Sequence, residues 1–289
     1  MKKFTVKVPA KINLTLDVLG VNDGYHLIES LVASVNVFDT ITVVKRQDGK
    51  ITITDKGLKV NCPIIENNAY KAAKSFMDVF GTYGVDIIID KKIPIGGGLG
   101  GSSADIAGVL NAMNVLYEIN GEMLPLACDL GSDAPYMLKG GYAVMKGRGD
   151  EVCPQDIDRK LYLNIITSDK EITARKCYQI FDKEKKYYER ATDNAVKEMF
   201  QGDANEAFKY FKNDLQGAAY QLVDEIKYNL FNHEKSGAKV ALVAGSGPST
   251  LGIFDTAAVR DKAFNALKLL YGENLIKAET VINKNGKFI

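Results

Sequence analysis

The sequence predicts an α+β fold, rich in sheet over its first half and more helical over its second. Three observations carry this expectation: strict two-residue alternation near the start, 3.6-residue apolar periodicity from residue 67 onward, and a glycine-rich turn between a strand-like and a helix-like segment. At 289 residues the chain sits where one hydrophobic core stops growing. With the shift toward helix after the glycine-rich stretch 140–149, the expected division is an N-terminal domain over 1–155 and a C-terminal domain over 156–289.

Each element has its own signal. In 11–18, Ile12, Leu14, Leu16 and Val18 alternate with Lys11, Asn13, Thr15 and Asp17, which reads as a half-buried strand with a wet polar face. Further strands are expected at 31–38, 40–45, 51–54 and 85–90, several bounded by Asp, Gly or Asn. A helix is expected over 67–80, where Ala69, Ala72, Ala73, Phe76 and Phe80 form one stripe, and another over 103–117. In the second half a strand at 161–167 precedes helices at 194–211 and 215–232. The charged run 182–186 mixes its signs and reads as a solvated face with no assigned function.

Composition narrows the function classes. Hydrophobic residues at 46% and charged residues at 25% are ordinary globular values. Thirty-seven basic against 36 acidic residues leave a net charge of +1, so no broad footprint for nucleic acid or an anionic membrane is expected. Any bound anion must therefore be held locally. Neither an apolar leader nor a run of membrane-spanning length is evident, and cytoplasmic residence is the expectation. The four cysteines and two histidines are too dispersed for a zinc-type site, and the sequence identifies no metal ligands.

The segment Pro94-Ile95-Gly96-Gly97-Gly98-Leu99-Gly100-Gly101-Ser102-Ser103 joins strand to helix. Its glycines let the backbone approach a ligand, and the free amides and dipole of the following helix favour an anion. Ser102 and Ser103 add hydroxyls suited to capping, phosphate contact or holding a metal. Gly96, Gly98 and Gly101 also match the dinucleotide pattern G-x-G-x-x-G. That site, however, needs a second parallel strand ending in an acid about 20 residues on, and here 111–114 continues a helix. A Walker loop would need lysine where Gly101 stands. A turn that only packs remains open on these residues alone.

Four separated segments resemble the GHMP small-molecule kinases, the galactokinase, homoserine, mevalonate and phosphomevalonate kinase superfamily. They are the glycine loop, Pro9-Ala10-Lys11-Ile12-Asn13-Leu14, Leu130-Gly131-Ser132-Asp133-Ala134-Pro135-Tyr136 and Gly245-Ser246-Gly247-Pro248. Asp23-Gly24-Tyr25-His26 is similar to the opening motif of the branch acting on 4-diphosphocytidyl-2-C-methyl-D-erythritol, and the resemblance spans nearly the whole chain. In the loop, Ser102 replaces a third glycine of the family while the spacing to Asp105 is kept.

The resemblance implies the two-domain GHMP kinase fold, ATP and Mg2+ as cofactors, and a small-molecule acceptor, 4-diphosphocytidyl-2-C-methyl-D-erythritol, phosphorylated on its 2-hydroxyl for non-mevalonate isoprenoid synthesis. It implies Asp133 as general base and Lys11 as its partner. It gives Pro94, Gly96, Gly97, Gly98, Leu99, Gly100, Gly101, Ser102 and Ser103 to the ATP phosphates, with Asn67 and Lys91 at the adenosine. Asn13, Tyr25, His26 and Tyr178 fall to the acceptor, the two tyrosines stacking on cytosine and His26 hydrogen-bonding it. Without the resemblance, Asp133 reads as a helix cap before Pro135 and Lys11 as the wet face of a strand. Two other functions stay open: another GHMP kinase of homoserine or mevalonate type, or a non-catalytic nucleotide-binding protein on the same fold.

Overall fold

A computed structural model describes residues 2–184, 189–202 and 204–282. It opens with β1 (Lys3–Asn13), β2 (Thr15–Asn22), β3 (Tyr25–Lys45) and β4 (Ile51–Gly57). Then come α1 (Asn68–Phe80), β5 (Val85–Lys91), α2 (Gly101–Leu116), α3 (Leu124–Leu130), α4 (Ala134–Met137), β6 (Tyr142–Gly147) and β7 (Glu151–Gln155). The second half holds β8 (Tyr162–Ile166), α5 (Ala174–Glu184), α6 (Thr192–Gln201), α7 (Ala204–Phe208), β9 (Lys212–Asn213), α8 (Gln216–Leu222) and α9 (Glu225–Lys235). It closes with β10 (Val240–Val243), β11 (Thr250–Phe254), α10 (Ala257–Tyr271) and β12 (Leu275–Glu279). The fold is α+β, as expected, with most of the sheet in the first half.

The largest departure is β3. The segments 31–38 and 40–45 form one strand of 21 residues, and β1 pairs antiparallel along it from Lys3↔Val44 to Asn13↔Val32. Asp39, which reads as a turn residue, is buried mid-strand and accepts hydrogen bonds from the backbone N–H of Lys92 and Ile93 instead. β3 thus serves as the spine of the first sheet: β5 pairs its C-terminal half, β6 and β2 its N-terminal half. A second sheet runs in the order β10-β11-β8-β12.

The expected strand 11–18 divides at Leu14, between β1 and β2, and its polar face is not wet. Lys11, Asn13, Thr15 and Asp17 are all buried. Thr15 meets the Thr192 hydroxyl, and Asp17 accepts from the N–H groups of Ala191 and Thr192, so this face is closed by the start of α6. Two expected helices are broken: 194–211 at Gly202 into α6 and α7, and 215–232 at Val223, whose extended φ −143° and ψ 102° separate α8 from α9. α1 agrees with its stripe, burying Ala69, Ala72, Ala73 and Phe76.

α1 and α2 pack on one face of the first sheet, where α2 is apolar nearly all round, as a helix enclosed by its neighbours must be. The same core continues through Leu163, Ile165, Leu251 and Ile253 of the second sheet. A smaller cluster joins Leu16 and Val18 to Ile172, Phe181 and Leu215. Among the described residues no helix is long and apolar enough to cross a membrane.

Candidate active site

β5 ends in Lys91, and the chain then turns through the glycine loop into α2. Lys91 is 3% exposed, with its ammonium 2.6 Å from Asp39 Oδ2 and 2.7 Å from Asp105 Oδ2, and donates to the Gly101 carbonyl at 3.0 Å. An ammonium has three protons, and these partners use all of them. The ammonium thus forms a clamp that ties β3, β5 and the first turn of α2 together, and Lys91 also lines the cavity beneath the glycine loop. Burial alone would lower the Lys91 pKa, but the charges of Asp105 and Asp39 more than offset it and the net direction is upward. One ammonium cannot neutralise two buried carboxylates. Asp39 has its backbone donors, whereas Asp105 Oδ1 has no hydrogen-bond partner among the described residues, and burial pushes Asp105 up to about 7.

The loop above this clamp is built for close approach. Gly98 (φ +78°) and Gly100 (φ +76°) are left-handed, and a Cβ on Gly98 would strike the Ala244 carbonyl. At Gly100 it would strike Met137 and stand 2.9 Å from Lys11 Cγ. The loop is thus seated against both the late glycine loop and β1, and Lys11 N–H donates to the Leu99 carbonyl at 3.0 Å. Gly100 precedes α2 with no side-chain cap, so the first N–H groups of a 16-residue helix are left for an anion. Ser102 is exposed and Ser103 buried, with the Ser103 hydroxyl turned toward Gly131.

Lys11 Nζ lies 3.3 Å from Asp133 Oδ2 and donates to Asn13 Oδ1 at 2.9 Å, while the Asn13 amide donates to Ser30 Oγ at 2.7 Å. Asp133 stands at the N-terminus of α4, yet its side chain makes no capping hydrogen bond. The carboxylate points to Lys11 instead. Asn67 does cap: its Oδ1 accepts from Ala69 N–H at 2.9 Å, which leaves the amide nitrogen for a ligand.

Lys11, Asn13, Asn67, the loop from Pro94 to Ser103 and Asp133 line one cavity of about 510 Å³. A second cavity adjoins it and holds Tyr25, His26, Tyr178 and Asp182. Tyr25 is 56% exposed, with the Arg148 guanidinium 4.6 Å from its ring centre. His26 stacks on Tyr178 at 4.2 Å, and His26 Nε2 is 2.7 Å from Asp182 Oδ1. Of Tyr25 and Tyr178, only Tyr25 presents a broadly exposed ring, because His26 covers a face of Tyr178.

A helix start without a side-chain cap, a paired carboxylate and ammonium, and an aromatic cavity beside them form one continuous cleft. Residues 67–142 match the family model for the GHMP kinases N terminal domain. A 4-diphosphocytidyl-2-C-methyl-D-erythritol kinase of Cutibacterium acnes is 35% identical, the match covering 85% of this chain and 84% of that protein. The chain belongs to the 4-diphosphocytidyl-2-C-methyl-D-erythritol kinase family. A kinase of the same name from Clostridium botulinum is 32% identical over 92% of this chain and 96% of its own. A crystal structure of 4-(cytidine 5'-diphospho)-2C-methyl-D-erythritol kinase superposes with a TM-score of 0.81 at 26% identity, covering 96% of this chain and 99% of that one. Homoserine kinase from Cytophaga hutchinsonii, with a TM-score of 0.77 at 19% identity, shares the fold alone. As a member of this kinase family the chain is a small-molecule kinase, and ATP use is typical of the family.

The structure brings the sequence-derived candidates together in the two adjoining cavities. Sequence reasoning missed Asp39, Ser30, Arg148 and Asp182. Asp39 was hidden because it reads as a break between strands. Asp182 lay in the charged run, of which Lys185 and Lys186 fall outside the described residues. A lone arginine among the glycines of 140–149 was the available signal for Arg148.

Proposed function

We propose that the chain transfers the γ-phosphoryl group of ATP to the 2-hydroxyl of 4-diphosphocytidyl-2-C-methyl-D-erythritol. The observation that carries this reading is the Lys11–Asp133 pair standing between a phosphate cradle and an aromatic cavity. Asp133, with no helix cap to hold it, is free to accept the hydroxyl proton. Lys11 positions that carboxylate through their 3.3 Å ion pair and draws charge from the attacking oxygen. Asn13 fixes the Lys11 ammonium through its Oδ1 and is itself fixed by Ser30.

The residues present fit ATP. The uncapped start of α2 and the left-handed glycines accept phosphate oxygens, and the Asn67 amide and the backbone near Lys91 border the nucleoside end. Bound ATP supplies the phosphoryl group, and positioning together with electrostatics supplies most of the acceleration. Magnesium belongs to this proposal. Among the described residues no group of three or more His, Cys, Asp or Glu side chains is placed to hold a metal ion. The fit is therefore to an ion held largely by nucleotide phosphates, with the Asp133 carboxylate and the Ser102 and Ser103 hydroxyls as the nearby oxygen donors.

On the acceptor side, the exposed face of Tyr25 receives the cytosine ring, and His26, oriented by Asp182 and Tyr178, offers its remaining polar positions to the base edge. The test is ADP release from ATP and magnesium with 4-diphosphocytidyl-2-C-methyl-D-erythritol, homoserine or mevalonate as acceptor. ADP with the first alone is expected. Turnover with homoserine or mevalonate instead would assign the chain to another GHMP activity.

A further inference from the structure

Three residues line both cavities, Ser132, Arg148 and Tyr178, and so mark the passage between the phosphate loop and the aromatic end. Arg148 is the charged one. It follows the left-handed Gly147 at the end of β6, which turns its side chain back over Tyr25. Its charged neighbour is Asp150 at 4.0 Å, the outer limit of an ion pair, with both side chains well exposed. Among the described residues the guanidinium donates no hydrogen bond. A fork of five N–H donors is thus held over a ring with its in-plane edge uncommitted.

The acceptor cavity is otherwise hostile to an anion. Asp23, Asp129, Asp150 and Asp182 face Arg148 and Arg175, and Arg175 lines that cavity alone. Under the function proposed above, on which this inference rests, the diphosphate connects a base at Tyr25 to a hydroxyl at Asp133. It must therefore cross the passage where Arg148 stands. We propose that Arg148 determines specificity for a diphosphate-bearing acceptor, its guanidinium edge binding the phosphate oxygens while its face stays over Tyr25.

The experiment is calorimetric titration of cytidine, CMP and CDP into the full chain and into Arg148→Gln and Arg148→Lys, together with KM values for ATP and for the diphosphocytidyl acceptor. In the parent chain affinity should rise from cytidine to CDP. Arg148→Gln should lose roughly 10- to 100-fold of that rise, as for a charge-assisted hydrogen bond, with cytidine affinity and ATP KM unchanged. Arg148→Lys, which keeps the charge and loses the fork, should fall between. An unchanged ratio of CDP to cytidine affinity in Arg148→Gln would overturn the proposal. So would a proportional loss of all three ligands, which would assign Arg148 to the base, or a raised KM for ATP, which would assign it to the donor. Parent chain that neither binds these ligands nor turns over would sink the proposed function and this inference with it. Normal parent turnover with an unchanged ratio sinks this inference alone.

Discussion

Lys11 Nζ stands 3.3 Å from Asp133 Oδ2, joining β1 to the start of α4 across 122 positions of sequence (133 − 11). Lys11 is 5% exposed and Asp133 caps nothing, so neither occupies the structural role its local sequence suggests. Asp133→Asn is expected to lower kcat by about 10²–10⁴-fold, the usual contribution of a general base, while ATP affinity by calorimetry stays put. Lys11→Met added to Asp133→Asn should cost less than the two single effects combined, because the residues act as a unit. Full turnover by Asp133→Asn would remove Asp133 from the mechanism.

The seating of the loop on Lys11 makes Gly100 sensitive. Gly100→Ala puts a Cβ against Met137 and Lys11 at φ +76°, a strain of about 1–3 kcal/mol. Thermal unfolding should report that loss, and kinetics a raised KM for ATP. A variant with parental melting temperature and kinetics would contradict the assigned seating.

Asn67 has two separable tasks. Its Oδ1 caps α1, and the residue lines the cavity with an amide nitrogen that the cap does not use. Asn67→Ala should cost about 1 kcal/mol of stability from the lost cap and weaken ATP. Asn67→Asp keeps the acceptor and loses the donor, so urea unfolding should return near-parental stability while KM for ATP rises. Equal ATP affinity in Asn67→Asp and the parent would confine Asn67 to capping.

Asp105 gives the fold a distinctive pH dependence. Burial raises its pKa from 3.8 to about 7, so between those values the folded chain holds a proton that the unfolded chain releases. Its contribution to stability is then greatest at the acid end and falls as pH rises toward 7, by at most about 1.4 kcal/mol per pH unit, and is flat beyond. Lys91, shifted upward, keeps its charge throughout this window. Urea unfolding of parent and Asp105→Asn at several pH values from 4.5 to 8 isolates this one group. The parent's advantage should shrink toward neutrality, and an advantage that grows with pH would contradict the assignment.

Asp182 orients His26 from an exposed position, its side chain 49% accessible, where a polar side-chain contact contributes under about 1 kcal/mol to stability. Asp182→Ala should leave the melting temperature nearly unchanged and raise KM for the acceptor, with KM for ATP unaffected. An effect on ATP alone would detach His26 and Asp182 from acceptor binding.

What could be read in the sequence was local. The alternation of Ile12, Leu14 and Leu16, the stripe of α1 and the glycine loop before α2 depend on neighbours a few positions away, and each pattern gave the expected kind of element, the strand dividing at Leu14 into β1 and β2. What could not be read was set by distant contacts. The polar face carrying Lys11, Asn13 and Asp17 looks wet until residues 191–192 and 133 close over it. Asp39 looks like a turn until the backbone of Lys92 and Ile93 arrives. The clamp made by Lys91 is invisible until Asp39 and Asp105 arrive to accept its hydrogen bonds. For Asp133 the capping reading and the catalytic reading shared one local sequence, and the direction of its carboxylate toward Lys11 separates them.

The most direct measurement follows the phosphorus atom. With γ-labelled ATP, magnesium and 4-diphosphocytidyl-2-C-methyl-D-erythritol, phosphorus NMR and tracer counting of the product should find one new labelled phosphomonoester on the 2-hydroxyl, with the diphosphate intact. Asp133→Asn should slow its appearance about 10²–10⁴-fold. Label released only as inorganic phosphate, or transferred to homoserine or mevalonate in preference to this acceptor, would contradict the account.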